Sequence, residues 1–86
     1  MDFHVFDTYV KAKDGHTMHF DVITDKKETE KAIEYAKEWL KTIDESESKV
    51  TLEECRFCHS ETMSEEVEIE IMTNGYFIAK MQGCSK

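Results

Sequence analysis

Apolar and polar residues alternate with a period of two at the start of the chain, and a single turn interrupts the alternation. Residues 3–10 are rich in Phe, Val, Tyr and Thr, and residues 17–24 place His19 and Asp21 on the face opposite their large apolar side chains. Between the two runs, Gly15 can adopt the positive φ that a tight turn needs. This pattern predicts a β-hairpin.

The hydrophobic period then changes to that of a helix. Apolar residues recur three or four positions apart from Ala32 to Ile43, and Lys and Glu occupy the opposite side. Asp25, followed three positions later by Glu28, is typical of a capping box at a helix start. We therefore predict one long helix at about 26–43, packed on one face of the sheet.

Two segments of the C-terminal half are ambiguous. We favour a strand over 49–57 that leads into a Cys-x-x-Cys turn. Residues 65–73 alternate Glu with Val or Ile, which favours a strand, but Ser64 as an N-cap and Gly75 beyond the end favour a short helix. A final strand at 76–81 follows on either interpretation.

Together these elements predict a single two-layer α+β domain over residues 1–86. Its small mixed sheet consists of the hairpin and one or two further strands, with the long helix on one face. A short second helix at about 65–73 is the alternative to an additional strand. A chain of 86 residues has room for only one hydrophobic core.

Charge narrows the classes of partner. The formal net charge is −8, and the segment 44–70 holds ten acidic and two basic residues, so the whole excess lies there. Such a segment repels phosphate, which predicts no nucleic-acid or membrane partner and favours a basic protein surface or a metal cation. No apolar stretch has the length of a signal or membrane segment, which predicts the cytoplasm. The oligomeric state stays open.

The candidate chemistry is concentrated in a Cys-x-x-Cys-His run at 55–59. Two thiolates at this spacing can bind one Zn²⁺, and further ligands would come from elsewhere in the chain. Adjacent cysteine and histidine residues would strain the backbone if both bound the same ion. The candidate zinc ligands are therefore Cys55, Cys58, Cys84 and His59, with His16 or His19 as alternatives to His59.

Other interpretations of the same run are open. The Cys-x-x-Cys-His order matches a motif for covalent haem attachment. We disfavour this interpretation because no export signal is visible in the sequence. A thiol redox pair of Cys55 and Cys58 is a further alternative, although the surrounding acidic residues oppose thiolate formation. Burial of these cysteines in the core is the plainest outcome.

No catalytic constellation stands out elsewhere in the sequence. Asp7 and Asp21 lie on the two hairpin strands and can approach each other, in which case burial of the pair would raise one pKa. That alone does not define an enzyme. The prediction is a non-catalytic binding or interaction module, with zinc binding and thiol redox chemistry as alternatives.

Four short motifs are spread over nearly the whole chain: Asp7-Thr8-Tyr9-Val10, Asp14-Gly15 with Met18 to Val22, Cys55 to His59, and Gly75 to Ile78 followed by Met81 and Gly83-Cys84. With these motifs the chain resembles a family of short bacterial proteins catalogued as a domain of unknown function. The resemblance implies a stand-alone bacterial domain of this size and no particular activity. It also implies a helix, rather than a strand, at 65–73.

Overall fold

The computed structural model describes residues 2–45 and 55–82. Its elements, in chain order, are β1 (Phe3–Lys11), β2 (Thr17–Thr24), α1 (Thr29–Thr42), β3 (Cys55–Glu61), α2 (Glu65–Asn74) and β4 (Tyr76–Gln82). The strands form one sheet in the order β3-β1-β2-β4, with every neighbouring pair antiparallel. No helix among the described residues is long and apolar enough to cross a membrane.

The predicted hairpin is confirmed as the centre of the sheet. β1 and β2 pair from His4 with Thr24 to Lys11 with Thr17, and Gly15 in the turn has a φ of 97°. Because both strands are internal, each of their faces must be covered or must carry polar groups. The hairpin therefore determines where both helices can pack.

The two helices pack on opposite faces of the sheet. On what we call the α1 face, the buried side chains of the sheet and helix are Phe6, Val10, Met18, Phe20, Val22, Ala32, Ala36 and Leu40. On the α2 face, a smaller cluster contains Phe3, Val5, Ile23 and Ile71. Successive residues of β1 and β2 point to opposite faces of the sheet. Because apolar residues occur at both odd and even positions, a helix can pack on each face.

The predicted fold class is wrong in its architecture. The sheet has four strands and is entirely antiparallel rather than mixed, and two short helices replace the single long helix on one face. The reason lies in the connections. α1 leads the chain to β3 beside β1, and α2 leads it to β4 beside β2, so that each edge strand runs antiparallel to its neighbour.

The first helix also begins later than the capping pattern predicts. Its N-cap is Glu28, whose side chain makes no capping hydrogen bond, so the helix is Thr29–Thr42 rather than about 26–43. The carboxylate of Asp25 instead binds the ammonium of Lys26 at 3.0 Å, and the Lys26 amide donates to Thr24 Oγ1 at 3.3 Å. These local bonds fix a bend where a capping box would otherwise form.

The ambiguous segment at 65–73 is a helix, as the family resemblance implies. Ser64 Oγ accepts a hydrogen bond from the Val67 amide at 3.4 Å. Gly75 ends the helix in a left-handed conformation, with a φ of 94°, and donates to the Ile71 carbonyl at 2.7 Å. Both helix ends are therefore satisfied by side-chain and glycine caps, which override the two-residue alternation inside the segment.

α2 covers only half of its face. It begins after the end of β3 and ends at the start of β4, and both points lie at the same end of the sheet as Phe3 and Thr24. Ten helical residues span about 15 Å, which matches the roughly 14 Å across three strand spacings. The helix thus crosses the sheet near one end, and no other helix of the described residues covers the other half of this face.

Two glycines with nearly equal φ values give a matched test of the α2 cap. A Cβ at Gly75 would approach Tyr35 Oη to 3.1 Å, whereas a Cβ at Gly15 would meet nothing within 4 Å. Gly15→Ala should therefore cost only the left-handed strain, about 1 kcal/mol, and Gly75→Ala about 2 kcal/mol or more, measured by urea unfolding. Equal losses would contradict the packing of Tyr35 over this cap.

Candidate functional site

The open half of the α2 face carries a cluster of three ionisable side chains. Asp7 on β1 and His19 and Asp21 on β2 each offer an atom able to bind a metal, and these three atoms lie within 4.8 Å of one another. All three residues are half-buried. Among the described residues, this is the only group of three or more His, Cys, Asp and Glu side chains gathered so closely.

The hairpin register produces this cluster directly. Asp7 pairs with Asp21 across the two central strands, and Tyr9 pairs with His19 one step further along. Directly opposed side chains lie about 5 Å apart, and residues two apart on a strand share a face. His19 therefore reaches Asp7 diagonally, and its Nε2 hydrogen-bonds to Asp7 Oδ1.

Neighbouring side chains hold the cluster in place. The ring of Tyr9 stacks on that of His19, with a centroid separation of 4.2 Å and an interplanar angle of 7°. On the other side of β1, Arg56 of β3 is the strand partner of Asp7. The imidazole of His19 is thus held between the ring of Tyr9 and the carboxylate of Asp7. Ligand binding would therefore cost little side-chain entropy at His19.

The surroundings of Asp21 change its pKa. Burial raises the pKa of Asp21, and its hydrogen bond to Asp7 and the charge of Asp7 raise it further, while His19 and His59 act in the opposite direction. Two like charges directly opposite each other in a sheet destabilise it. The ionised form of Asp21 is therefore disfavoured here, and a proton or a cation would offset the repulsion from Asp7.

The donor set fits a divalent metal. Carboxylate and imidazole atoms bind Zn²⁺ at about 2.0–2.2 Å, which places tetrahedral ligand atoms about 3.4 Å apart. The observed limit of 4.8 Å requires movements of about an ångström or less for each side chain, within the reach of χ rotations. Three protein ligands leave at least one coordination position open to water or a further ligand.

The sequence-predicted zinc ligands are placed differently. Cys55 and Cys58 both lie in β3, so the expected Cys-x-x-Cys turn is wrong and the segment is a strand. Within the described part of the chain, Cys55, Cys58 and His59 do not form a group of three ligands, whereas the alternative ligand His19 belongs to the cluster with Asp7. Cys84 and residues 49–54 lie outside the described residues, so a zinc site that includes Cys84 stays a prediction.

The two described cysteines have opposite environments. Cys55 is fully buried on the α1 face, where Thr8 Oγ1 lies 3.4 Å from its sulfur, whereas Cys58 is exposed. Burial raises the pKa of Cys55, only partly opposed by the hydrogen bond from Thr8. The thiol form is thereby favoured over the thiolate that a metal or a redox reaction needs. Core packing, one of the open interpretations, describes Cys55.

The remaining alternative ligand, His16, lies elsewhere. Its Nδ1 hydrogen-bonds to Asp14 Oδ1 within the hairpin turn, and hydrogen bonds with His16 hold the pKa of Asp14 below its usual value. The sequence contained part of the signal for the cluster of Asp7, His19 and Asp21. Asp7 and Asp21 flank the predicted turn at nearly equal distances, and adding His19 to that pair required only the diagonal neighbour on the same face.

Substitution of Asp21 should change the pH dependence of stability. Its pKa in the folded chain lies above 3.8, so the folded state binds the proton more tightly and loses stability as the pH rises through the folded pKa. Asp21→Asn removes this loss and keeps a hydrogen-bond donor for Asp7. In a chelator-containing buffer, the variant should match the native chain near pH ~3 and be more stable at neutral pH, measured by urea unfolding across pH.

The control for this experiment is Asp2→Asn, which removes one negative charge at an exposed position near the N-terminus. The difference in unfolding free energy between Asp2→Asn and the native chain should not increase as the pH rises. If the native chain becomes more stable than Asp21→Asn as the pH approaches neutrality, the conclusion that ionised Asp21 destabilises the fold is wrong.

Comparison with known proteins places these features in a family. The family model described as "Domain of unknown function (DUF2024)" matches residues 1–81. A solution NMR structure of a protein from Nitrosomonas europaea, solved by a structural genomics consortium, is similar to the chain with 62% sequence identity and a TM-score of 0.89. The match covers 99% of this chain and 100% of that one. No curated protein matches. The protein belongs to the family of DUF2024 domains.

Proposed function

We propose that this domain is a non-catalytic binding module for a divalent transition-metal ion, with Asp7, His19 and Asp21 as the ligands. The observation that supports the proposal is the convergence of the three ligand atoms within 4.8 Å on a sheet face that α2 leaves open. The cluster joins two central strands of the sheet. Its ligands therefore come from the most firmly paired part of the backbone, which favours a precise site.

The mixture of donors selects the class of ion. Imidazole suits zinc, iron, nickel and copper, whereas calcium and magnesium prefer oxygen donors alone. Two carboxylates and one imidazole also supply a formal charge of about −2 when deprotonated, which balances a divalent cation. Zn²⁺ is therefore the main probe, Mn²⁺ is a weaker one that accepts the carboxylates, and Ca²⁺ is the matched ion that should bind more weakly than Zn²⁺.

Metal binding would also relieve the conflict between the two carboxylates. A cation between Asp7 and Asp21 would replace the hydrogen bond from His19 to Asp7 and offset the repulsion between the two carboxylates. Binding should consequently release protons and weaken as the pH falls, because metal ligands must be deprotonated. The repulsion between the opposed carboxylates would thus become a favourable interaction of both with the bound metal.

Calorimetric titration with Zn²⁺ and Mn²⁺ tests this proposal. The native chain should bind about one equivalent, and Asp21→Asn and His19→Gln should each reduce the affinity by at least about tenfold. Asp21→Asn is expected to be at least as stable as the native chain at neutral pH, so its loss of binding cannot be ascribed to unfolding.

Two control variants separate this site from others. Cys58→Ser tests the zinc site predicted from sequence, and Glu66→Gln removes one charge from the exposed acidic surface of α2. Both should bind metal like the native chain. If Cys58→Ser abolishes binding while Asp21→Asn does not, the ligands are the cysteines and the assignment to the hairpin cluster is wrong.

The outer surface of α2 supports a second candidate function, docking of a basic protein surface. Glu65, Glu66 and Glu70 are exposed there, and Ile69 and Met72 are exposed on the same helix. Exposed apolar side chains beside acidic ones favour a surface that meets a basic partner. The double variant Glu66→Lys, Glu70→Lys reverses two charges of this surface and should reduce crosslinking to a basic partner. Crosslinking at the native level in that variant would contradict this candidate.

A further inference from the structure

Three functional groups of the edge strand β3 are in contact with one another: Cys58, His59 and Glu61. His59 Nδ1 is 3.3 Å from Cys58 Sγ, and His59 Nε2 hydrogen-bonds to Glu61 Oε2. His59 and Glu61 are two residues apart on β3, so their side chains share a face. The thiol thus contacts the imidazole, and the imidazole contacts the carboxylate.

A β-bulge places the cysteine in this array. Phe57 pairs with Phe6 and His59 pairs with Val5, so Cys58 is the extra residue at the register shift between the two strands. In a regular strand, side chains at adjacent positions would point to opposite faces. The bulge breaks that alternation and allows the sulfur to approach the imidazole of the next residue, as bulges near functional sites do.

The carboxylate determines which ring nitrogen faces the thiol. A carboxylate accepts hydrogen bonds, so Glu61 favours the tautomer in which His59 Nε2 carries the proton. Nδ1 is then the acceptor directed at Cys58. This arrangement meets the geometric requirements for an activated nucleophile: a thiol beside a base, with the base oriented by a third group.

We propose that Cys58 is a thiol-modification site that forms mixed disulfides with low-molecular-weight disulfides, with His59 as the base and Glu61 as the positioning residue. The Cys58 proton passes to His59 Nδ1, and the thiolate attacks one sulfur of the disulfide RSSR. A bond forms between Cys58 Sγ and that sulfur, the S–S bond of the reagent breaks, and the second sulfur leaves as a thiolate that takes up the proton.

The neighbouring cysteine does not complete a dithiol pair. Cys55 is fully buried on the α1 face, and burial favours its thiol form. Cys58 is exposed at the bulge, so the two are not arranged as attacking and resolving thiols of one redox centre. Cys55 should therefore not resolve the mixed disulfide at Cys58.

The sequence itself supplies a clean assay. Trypsin cleaves after Lys49, Arg56 and Lys80, so Cys55, Cys58 and Cys84 fall on three separate peptides. The probe is bis(2-hydroxyethyl) disulfide. Because this reagent is uncharged, substitutions that change the charge of the protein should not change its rate of encounter with Cys58. The native chain, held in chelator and quenched with acid at intervals, should gain one adduct first on the peptide 57–80, read by mass spectrometry.

Substitutions then test each role. His59→Gln and Glu61→Gln should slow modification of Cys58 about tenfold, because the rate follows the thiolate fraction. For Glu61→Gln, the rate–pH curve should also move to higher pH, which a merely structural role would not cause. His16→Gln and Glu66→Gln make the same chemical changes at other exposed positions and should leave the rate unchanged.

Concentrated urea provides the final comparison, since unfolding removes the contacts along the bulged strand. The rates of the native chain and of His59→Gln should converge there. The proposal is overturned if Cys58 in the folded native chain reacts no faster than in His59→Gln, or if the difference between the two survives unfolding.

Discussion

The register of the β1–β2 hairpin is the constraint on which the rest of the structure depends. It sets Asp7 directly opposite Asp21 in the two central strands. A like-charged pair at such a position costs up to about 1 kcal/mol, and replacement of either residue by a neutral one would avoid that cost. One step along, the same register stacks Tyr9 on His19. Among the described strands, the hairpin thus combines the pairing without a register shift with a pair of directly opposed carboxylates.

The two helices explain why this charged cluster can exist. α1 covers one face of the hairpin, where Phe6, Phe20 and Val22 are completely buried. α2 crosses only one end of the other face, above Phe3 and Val5. The remaining half of that face keeps partial contact with solvent, which permits ionised side chains next to a buried core. Departure from the local rules of stability at such a point is typical of functional sites.

Much of the local structure could be predicted from the sequence, because its signals are local. Alternating residues and the glycine turn defined the hairpin, and Ser64 with Gly75 marked the ends of α2. The architecture could not be predicted in the same way. The antiparallel sheet depends on which edge each helix reaches, and Asp25 lost its capping role to an ion pair with Lys26.

The candidate site was only partly predictable for a related reason. The spacing of Cys55 and Cys58 resembled a metal turn, but these residues lie in a strand whose bulge involves Cys58. The approach of Asp7 to Asp21 followed from the hairpin, and the raised pKa of Asp21 accords with it. The diagonal contact of His19 with Asp7 joins residues twelve positions apart, and it becomes apparent only when the register is known.

Paramagnetic broadening by Mn²⁺ tests the central claim most directly, because each backbone amide reports its own distance from the ion. With substoichiometric Mn²⁺, the amide signals of residues 7–9 and 19–21 should broaden first, and those of α2 should broaden later. Broadening that begins at the glutamates of α2, before residues 7–9 and 19–21 are affected, would contradict the assignment of the cation site to the hairpin.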